Sequence, residues 1–138
     1  MAQAPTPVVV RPATPADREA VRSLLKVCGW DHQPRITDPA RFATMFDGAD
    51  RSFVADDDGV VVGYLRALTD GVSNGYIGTT AVAPTHRRRG IGRLLVERLL
   101  GDDLGITWVL RAGHGSDAFW TSLGFVRSEI AMERVRRN

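Results

Sequence analysis

Arg87-x-x-Gly90-x-Gly92 is the part of this chain whose residue types and spacing point most directly to chemistry. It sits in a run that reads as a strand ending at Pro84, a short basic turn, a Gly-x-Gly pair and an apolar-periodic helix. Glycines at those positions let the backbone pass close to a ligand with no side chain in the way. The helix that follows turns its first N–H groups and the positive end of its dipole to the same point. Successive N–H groups converging in this way make an anion cradle. Arg87, Arg88, Arg89 and Arg93 cluster around it, so the expected ligand carries phosphate, and the arginines favour a diphosphate.

Two other phosphate loops fail on residues. A Walker A loop ends in Gly-Lys-Ser/Thr, whereas Gly92 is followed by Arg93 and Leu94, and the only lysine is Lys26. A dinucleotide fingerprint needs a small residue three positions after its second glycine, where Leu95 stands. What remains, Val82-Ala-Pro84 followed by Arg87-x-x-Gly90-x-Gly92, resembles the acetyl-CoA loop of the GNAT N-acetyltransferases. Ala118-Phe-Trp-Thr-Ser-Leu-Gly-Phe125 resembles that family's second motif, an aromatic pair on the last helix followed by Leu-Gly-Phe. The plainer reading of His86 to Arg89 is a solvated charge run or a nucleic-acid patch. Against it, the run is short and locked to the glycines rather than spread along a face.

The resemblance implies an α/β (α+β) fold: a mixed, mainly antiparallel twisted sheet with helices on both faces and a splay between two central parallel strands. It implies acetyl-CoA as co-substrate, with the pyrophosphate held by Arg87, Arg88, Arg89, Gly90, Ile91, Gly92 and Arg93. The pantetheine arm would pair with the backbone of Thr80, Ala81 and Val82 at the splay, and the Val82 N–H would donate to the developing oxyanion. The implied activity is N-acetyl transfer to an amine of a small molecule or peptide by direct attack on the thioester, with no metal. The rival of another class is a GNAT-like domain that binds acyl-CoA as a sensor or scaffold.

Two departures bear on that choice. The family's usual tyrosine on the last helix is here Trp120, whose indole N–H donates a hydrogen bond but cannot act as a general acid. It can orient the thioester or wall the pocket. Tyr76, His114, Ser116 and Ser122 are the other nearby proton donors, and water or no acid at all is the favoured reading. No carboxylate lies on residues 76–82, so base candidates fall on loops: Asp31 and His32 after the first helix, and Asp70 before the fourth strand. Trp30, in a non-periodic loop, suggests a pocket wall. The asparagine that the family usually offers to pantetheine after the fifth strand is missing, leaving His114 or Ser116 as substitutes. Gly113-x-Gly115-x-x-Ala118 fits a dinucleotide pattern with Glu133 downstream, but too little chain follows to complete the βαβ unit. A tight turn with Ser116 as helix cap is the plainer reading.

The elements that must position these groups follow from periodicity. Residues 8–11 form a first strand, Thr14-Pro15 opens a helix running to Cys28, residues 30–37 are non-periodic, and Asp38-Pro39 opens a second helix stopped by Gly48. Residues 52–55 and 60–68 flank an Asp-Asp-Asp-Gly hairpin turn, and residues 76–82 lead into the phosphate loop. The helix from Gly90 to Gly101 is expected to bury Ile91, Leu94, Leu95, Val96 and Leu99. Residues 106–110 form a strand, 116–123 a helix, and 125–126 with 130–133 the final strands; residues 130–135 offer an exposed edge that is expected to pair two copies into a homodimer.

Length and composition fit one domain over residues 1–138, with 43% hydrophobic and 25% charged residues. A net charge of +2 gives no reason to expect nucleic acid as a partner. Cys28 is the only cysteine, which rules out an intramolecular disulfide and a cysteine-based metal set; it reads as a small core filler. No apolar run approaches a membrane span and residues 1–7 lack the pattern of a signal peptide, so the expected location is cytoplasmic, with no membrane partner.

Overall fold

The computed structural model describes residues 7–137. The reading of residues 1–7 therefore lies, apart from Pro7, outside the described residues. The elements are β1 (Val9–Pro12), α1 (Arg18–Leu25), α2 (Pro34–Thr37), α3 (Pro39–Asp47), β2 (Arg51–Asp57), β3 (Val60–Thr69), β4 (Asn74–Val82), α4 (Ile91–Leu100), β5 (Thr107–Leu110) and α5 (Asp117–Ser122). They build one sheet in the order β1-β2-β3-β4-β5. Every neighbouring pair is antiparallel except β4 and β5, which are parallel.

Side chains on successive strand residues point to opposite faces, and the sheet uses both. Ala55, Val62, Leu65, Ala67 and Ile77 pack with Ile91, Leu95, Val96 and Leu99 of α4 and Trp120 of α5. Val54, Tyr64 and Ala81 pack on the other face with Val21, Leu24 and Leu25 of α1, Ile36 of α2, and Phe42 and Phe46 of α3. Helices thus cover both faces of the sheet. No helix among the described residues is long and apolar enough to cross a membrane.

Local chemistry explains most boundaries. At the hairpin tip Asp58 and Gly59 take φ of 51° and 91°, the left-handed pair that a tight two-residue hairpin requires. The Asp38 carboxylate accepts from Ala40 N–H at 3.0 Å and so caps α3. A 3₁₀ turn, Pro15–Asp17, leads into α1, and its Asp17 is buried. Arg11 Nη1 and Nη2 donate to the two carboxylate oxygens of Asp17 at 2.8 and 2.9 Å, and Thr14 N–H donates at 2.8 Å. The Arg11 guanidinium is the main reason that the Asp17 carboxyl is held at about 2, against the opposing effect of burial.

Four expectations are corrected. Residues 34–37, read as irregular, form the one-turn α2, with Pro34 at its start and Ile36 buried. Leu94 is 46% exposed because it falls off the stripe formed by Ile91, Leu95 and Leu99. Residues 125–126 and 130–133 form no strand among the described residues, and Ile130 and Met132 are 91% and 97% exposed. Two apolar side chains in so short a run bury too little surface to hold it against the chain. As a result β5 is an edge strand, so the parallel pair is not central.

Candidate functional site

β4 and β5 pair only where residues 74–77 face residues 107–110. Beyond Ile77 they part, and one edge of β4 is left open, which is the splay that the family resemblance implies. The phase of the β3–β4 ladder decides which groups line that gap. Ala83 N–H donates to Val62 C=O at 2.8 Å, and Val82, Ala81 and Thr80 lie opposite Gly63, Tyr64 and Leu65. Facing residues in an antiparallel pair alternate between exchanging two hydrogen bonds and exchanging none. Ala81 therefore bonds to Tyr64, while Thr80 and Val82 turn their N–H and C=O groups towards the gap. Of the three residues expected to offer backbone groups, Ala81 does not. The Val82 carbonyl accepts from Arg87 Nε at 3.2 Å and from Cys28 Sγ at 3.5 Å. Burial pushes the Cys28 thiol up, which suits a packing and donor role.

The chain leaves β4 through a 3₁₀ turn, Pro84–His86. Arg88 and Gly90 then take left-handed φ values of 63° and 79° before α4 begins. Across residues 87–93 no backbone N–H has a partner among the described residues; the first one bonded is Leu94, to Gly90 C=O at 3.1 Å. Seven successive unpaired donors thus stand at the positive end of a ten-residue helix. His86 fixes the loop from below: its Nε2 is 2.7 Å from Asp57 Oδ2 on the hairpin, and its Nδ1 is 2.7 Å from Thr85 Oγ1.

The two glycines differ in purpose. A Cβ on Gly90 would meet nothing within 4 Å, so its left-handed φ is what calls for glycine. A Cβ on Gly92 would lie 3.1 Å from the Phe119 ring, so Gly92 is small to let α5 dock on α4. Clearance for a ligand is not the cause there. The arginines also divide. Arg87 bonds back to Val82, and Arg93 reaches Glu97 Oε1 and Ser122 C=O, both at 3.3 Å. Arg88 and Arg89 are exposed and have no side-chain hydrogen bond among the described residues.

Other expected residues are less well placed. Trp120 is 9% exposed, with its ring edge-on to Phe119 at 4.9 Å and to Phe125 at 5.3 Å, so it is a core residue. It also borders a groove of about 1120 Å³ between β5, α5 and the tail, which none of residues 87–93 lines. His114 lines a smaller cleft with Asp117 and Arg127, both of which also line that groove. Ser116 precedes α5 but does not cap it through its side chain; its hydroxyl donates to Gly113 C=O at 2.6 Å. Ser122 donates to Phe119 C=O at 2.6 Å. Asp31 and His32 follow Cys28 by three and four residues, with side chains 70% and 73% exposed and 3.9 Å apart. Trp30 packs against the α1–α3 core rather than standing free as a wall. Asp70 accepts from the N–H groups of Val72, Ser73 and Asn74 and from the Ser73 hydroxyl, which hold its carboxyl far below the usual range. It organises the β3–β4 turn, at the opposite end of β4 from Val82. The Asp57–His86 tie and the Gly92–Phe119 contact escape sequence reading, because each joins residues more than twenty-five positions apart.

Comparison with known proteins bears on this arrangement. Residues 18–125 match the sequence model of the Acetyltransferase (GNAT) family. A curated relative, the mycothiol acetyltransferase of Kineococcus radiotolerans, is 35% identical over 96 residues, covering 64% of this chain and 32% of that protein. The chain thus spans about a third of the length of that relative. A crystal structure of a putative acetyltransferase from Deinococcus radiodurans R1 superposes with a TM-score of 0.69 at 25% identity, covering 92% of this chain and 87% of the other. AAC(6')-Iy, in complex with the bisubstrate analogue CoA-S-monomethyl-acetylneamine, superposes with a TM-score of 0.74 at 23% identity over 96% and 100% of the two chains, a likeness of fold.

Proposed function

This chain belongs to the Acetyltransferase (GNAT) family, and we propose that it moves an acetyl group from acetyl-CoA to an amine by direct attack on the thioester. The observation that carries the reading is the run of unpaired N–H groups over residues 87–93, continuous with the open edge of Thr80 and Val82. The cradle would hold the pyrophosphate. Thr80 and Val82 would pair with the pantetheine amides, as one strand pairs with another. Bound acetyl-CoA supplies an acyl group already activated as a thioester.

The residues of this chain then divide the remaining work. The Val82 N–H is available to donate to the carbonyl oxygen as negative charge develops there. The Ala81 carbonyl, bonded to Tyr64 in the β3 ladder, shares a peptide plane with that N–H and fixes its direction, while Arg87 and Cys28 hold the next carbonyl, that of Val82. Asp31 and His32, exposed and shortly after Cys28, would relay the ammonium proton to water. A departing thiolate needs no dedicated acid near neutral pH, since an ordinary thiol has a pKa of about 8.5. The experiment is thiol release from acetyl-CoA over a panel of primary amines, with the acetylated product identified by mass. CoA binding with no transfer to any amine would contradict the proposal and leave a sensor.

Trp120 is given a packing role in this reading. Trp120→Phe is expected to retain turnover within about tenfold, because a ring still fills the space between Phe119 and Phe125. A loss above roughly a hundredfold, the scale of an acid–base contribution, would mean that the indole takes part in the reaction.

The proposal extends to a single catalytic domain working in the cytoplasm as a homodimer. Support for pairing comes from the outer edge of β5, which has no strand beside it among the described residues, and from the apolar groove next to it, lined by Trp108, Leu110 and Phe125. A partner's tail laid along that edge would cover both. Light scattering at micromolar concentration is expected to give twice the chain mass; the mass of one chain contradicts it.

A further inference from the structure

On the face of β4 that looks away from α4, arginines gather almost without carboxylates. Arg66 of β3 lies opposite Thr79 of β4, on the same face as Tyr64. β4 carries a bulge at this point, with Gly78 as the extra residue between the pairs Arg66–Thr79 and Ala67–Ile77. The Arg66 guanidinium occupies the space that a Cβ on Gly78 would need. Its Nε is buried and has no hydrogen-bond partner among the described residues, and neither has the buried Tyr64 hydroxyl.

Three more arginines are linked to this spot through Arg35, which feels the charges of the others. Burial first, and then the charges of Arg136, Arg66 and Arg111, push the Arg35 guanidinium down; Tyr76 alone acts the other way. Arg35 comes from α2, Arg111 from just after β5 and Arg136 from the tail. Among the described residues only Arg111 has a carboxylate, Glu133 Oε2 at 3.0 Å, and both side chains of that pair are about half exposed. Arg35 and Arg66 are only partly exposed, so their like charges repel more than they would in full solvent. Such a cluster is held by packing and relieved by an anion, and planar guanidinium groups suit a carboxylate or phosphate two bonds at a time. Thr79 stands three residues before Val82 on β4, roughly 10 Å at the usual strand rise.

Building on the transfer reading above, we propose that this cluster anchors the acceptor. The amine substrate carries a carboxylate or phosphate, bound by Arg66 and Arg35, within roughly 10 Å of the nitrogen that is acetylated. That makes the acceptor an amino acid, a short peptide with a free C-terminus or a phosphorylated amine, and disfavours polyamines. The amine attacks the thioester carbonyl, the N–C bond forms as the C–S bond breaks, the ammonium proton passes to water, and the anionic end stays on the arginines.

The test compares matched acceptors in the acetyl-CoA assay: alanylglycine against alanylglycinamide, and ethanolamine phosphate against ethanolamine. The acid of at least one pair is expected to have a kcat/KM more than tenfold higher, and which pair discriminates tells carboxylate from phosphate. Arg66→Gln should bring that ratio to within threefold of unity while CoA affinity by calorimetry is retained. Gly78→Ala, whose methyl displaces the guanidinium without removing its charge, should lower the ratio as well. Equal rates within both pairs, or a ratio untouched by Arg66→Gln, would overturn the proposal. Should no amine be acetylated although CoA binds, the transfer reading fails separately. The cluster is then read by titrating N-acetyl-alanylglycine, its amide and acetylated ethanolamine phosphate into the CoA-bound protein. Binding of an acid but not of the amide supports the anchor, and binding of none, or of the amide equally, refutes it.

Discussion

A Gly92→Val protein is expected to bind CoA at least a hundredfold more weakly than the native chain and to melt several degrees lower. Both effects start from one contact. A Cβ at Gly92 already lies 3.1 Å from Cε1 and Cζ of Phe119, and valine adds two methyl groups beyond it. Forcing extra atoms into a packed junction typically costs about 1–3 kcal/mol. In a domain of this size that lowers the melting temperature by roughly 3–5 °C per kcal/mol. As α4 and α5 move apart, the N–H groups at the start of α4 leave the positions in which they converge. Gly90→Val separates the two consequences. Its Cβ has open space and only the φ of 79° is disturbed, so affinity should fall with a smaller change in melting. Calorimetric titration with CoA and thermal melting of both variants check this. Native affinity in Gly92→Val would remove the cradle from the account.

Asp17→Ala is expected to destabilise the fold by about 3 kcal/mol at neutral pH, the scale of breaking a buried ion pair from one side. The substitution leaves Arg11 with Asp56, at 3.2 Å, as its one carboxylate beside the Pro12 carbonyl, and Thr14 N–H without its acceptor. The carboxyl of Asp17 lies at about 2 in the folded chain against 3.8 ordinarily, a difference worth about 2 kcal/mol. Because the folded value is the lower one, this contribution is full above pH 4–5 and disappears as the pH falls towards 2. Urea unfolding at pH 7 and at pH 2.5 measures both. The native protein should lose stability between them, and Asp17→Ala should lose less over the same interval. A cost below about 0.5 kcal/mol at pH 7, within the range of an ordinary surface change, would contradict the role given to this pair.

The parts of the molecule legible in its sequence are those set by local chemistry. The cradle reads out from glycine and arginine at fixed offsets ahead of an apolar-periodic helix, because unpaired N–H groups are a property of any helix start. Asp38-Pro39 gave the start of α3 for the same reason, and Asp58-Gly59 gave the hairpin because those residues accept left-handed φ. The splay was legible only through family resemblance, since no residue type announces where two strands part. The bulge at Gly78 was not legible, and it brings Gly78 and Thr79 under Arg66. Without it the basic cluster cannot be assembled from the sequence, because Arg35, Arg66, Arg111 and Arg136 lie on four separate segments. Trp120 was ambiguous for a related reason. Its spacing fits both a pocket wall and a core residue, and only its contacts with Phe119 and Phe125 decide.

The claim on which the account rests is that backbone amides of residues 87–93, with those of Thr80 and Val82, receive the CoA. Amide ¹H–¹⁵N spectra recorded through a CoA titration address those groups one by one. The resonances of residues 87–93, Thr80 and Val82 should show the largest shifts and saturate together, while those of residues 70–73, in the turn at the far end of β4, stay in place. Saturable shifts centred elsewhere, with residues 87–93 unmoved, would contradict it.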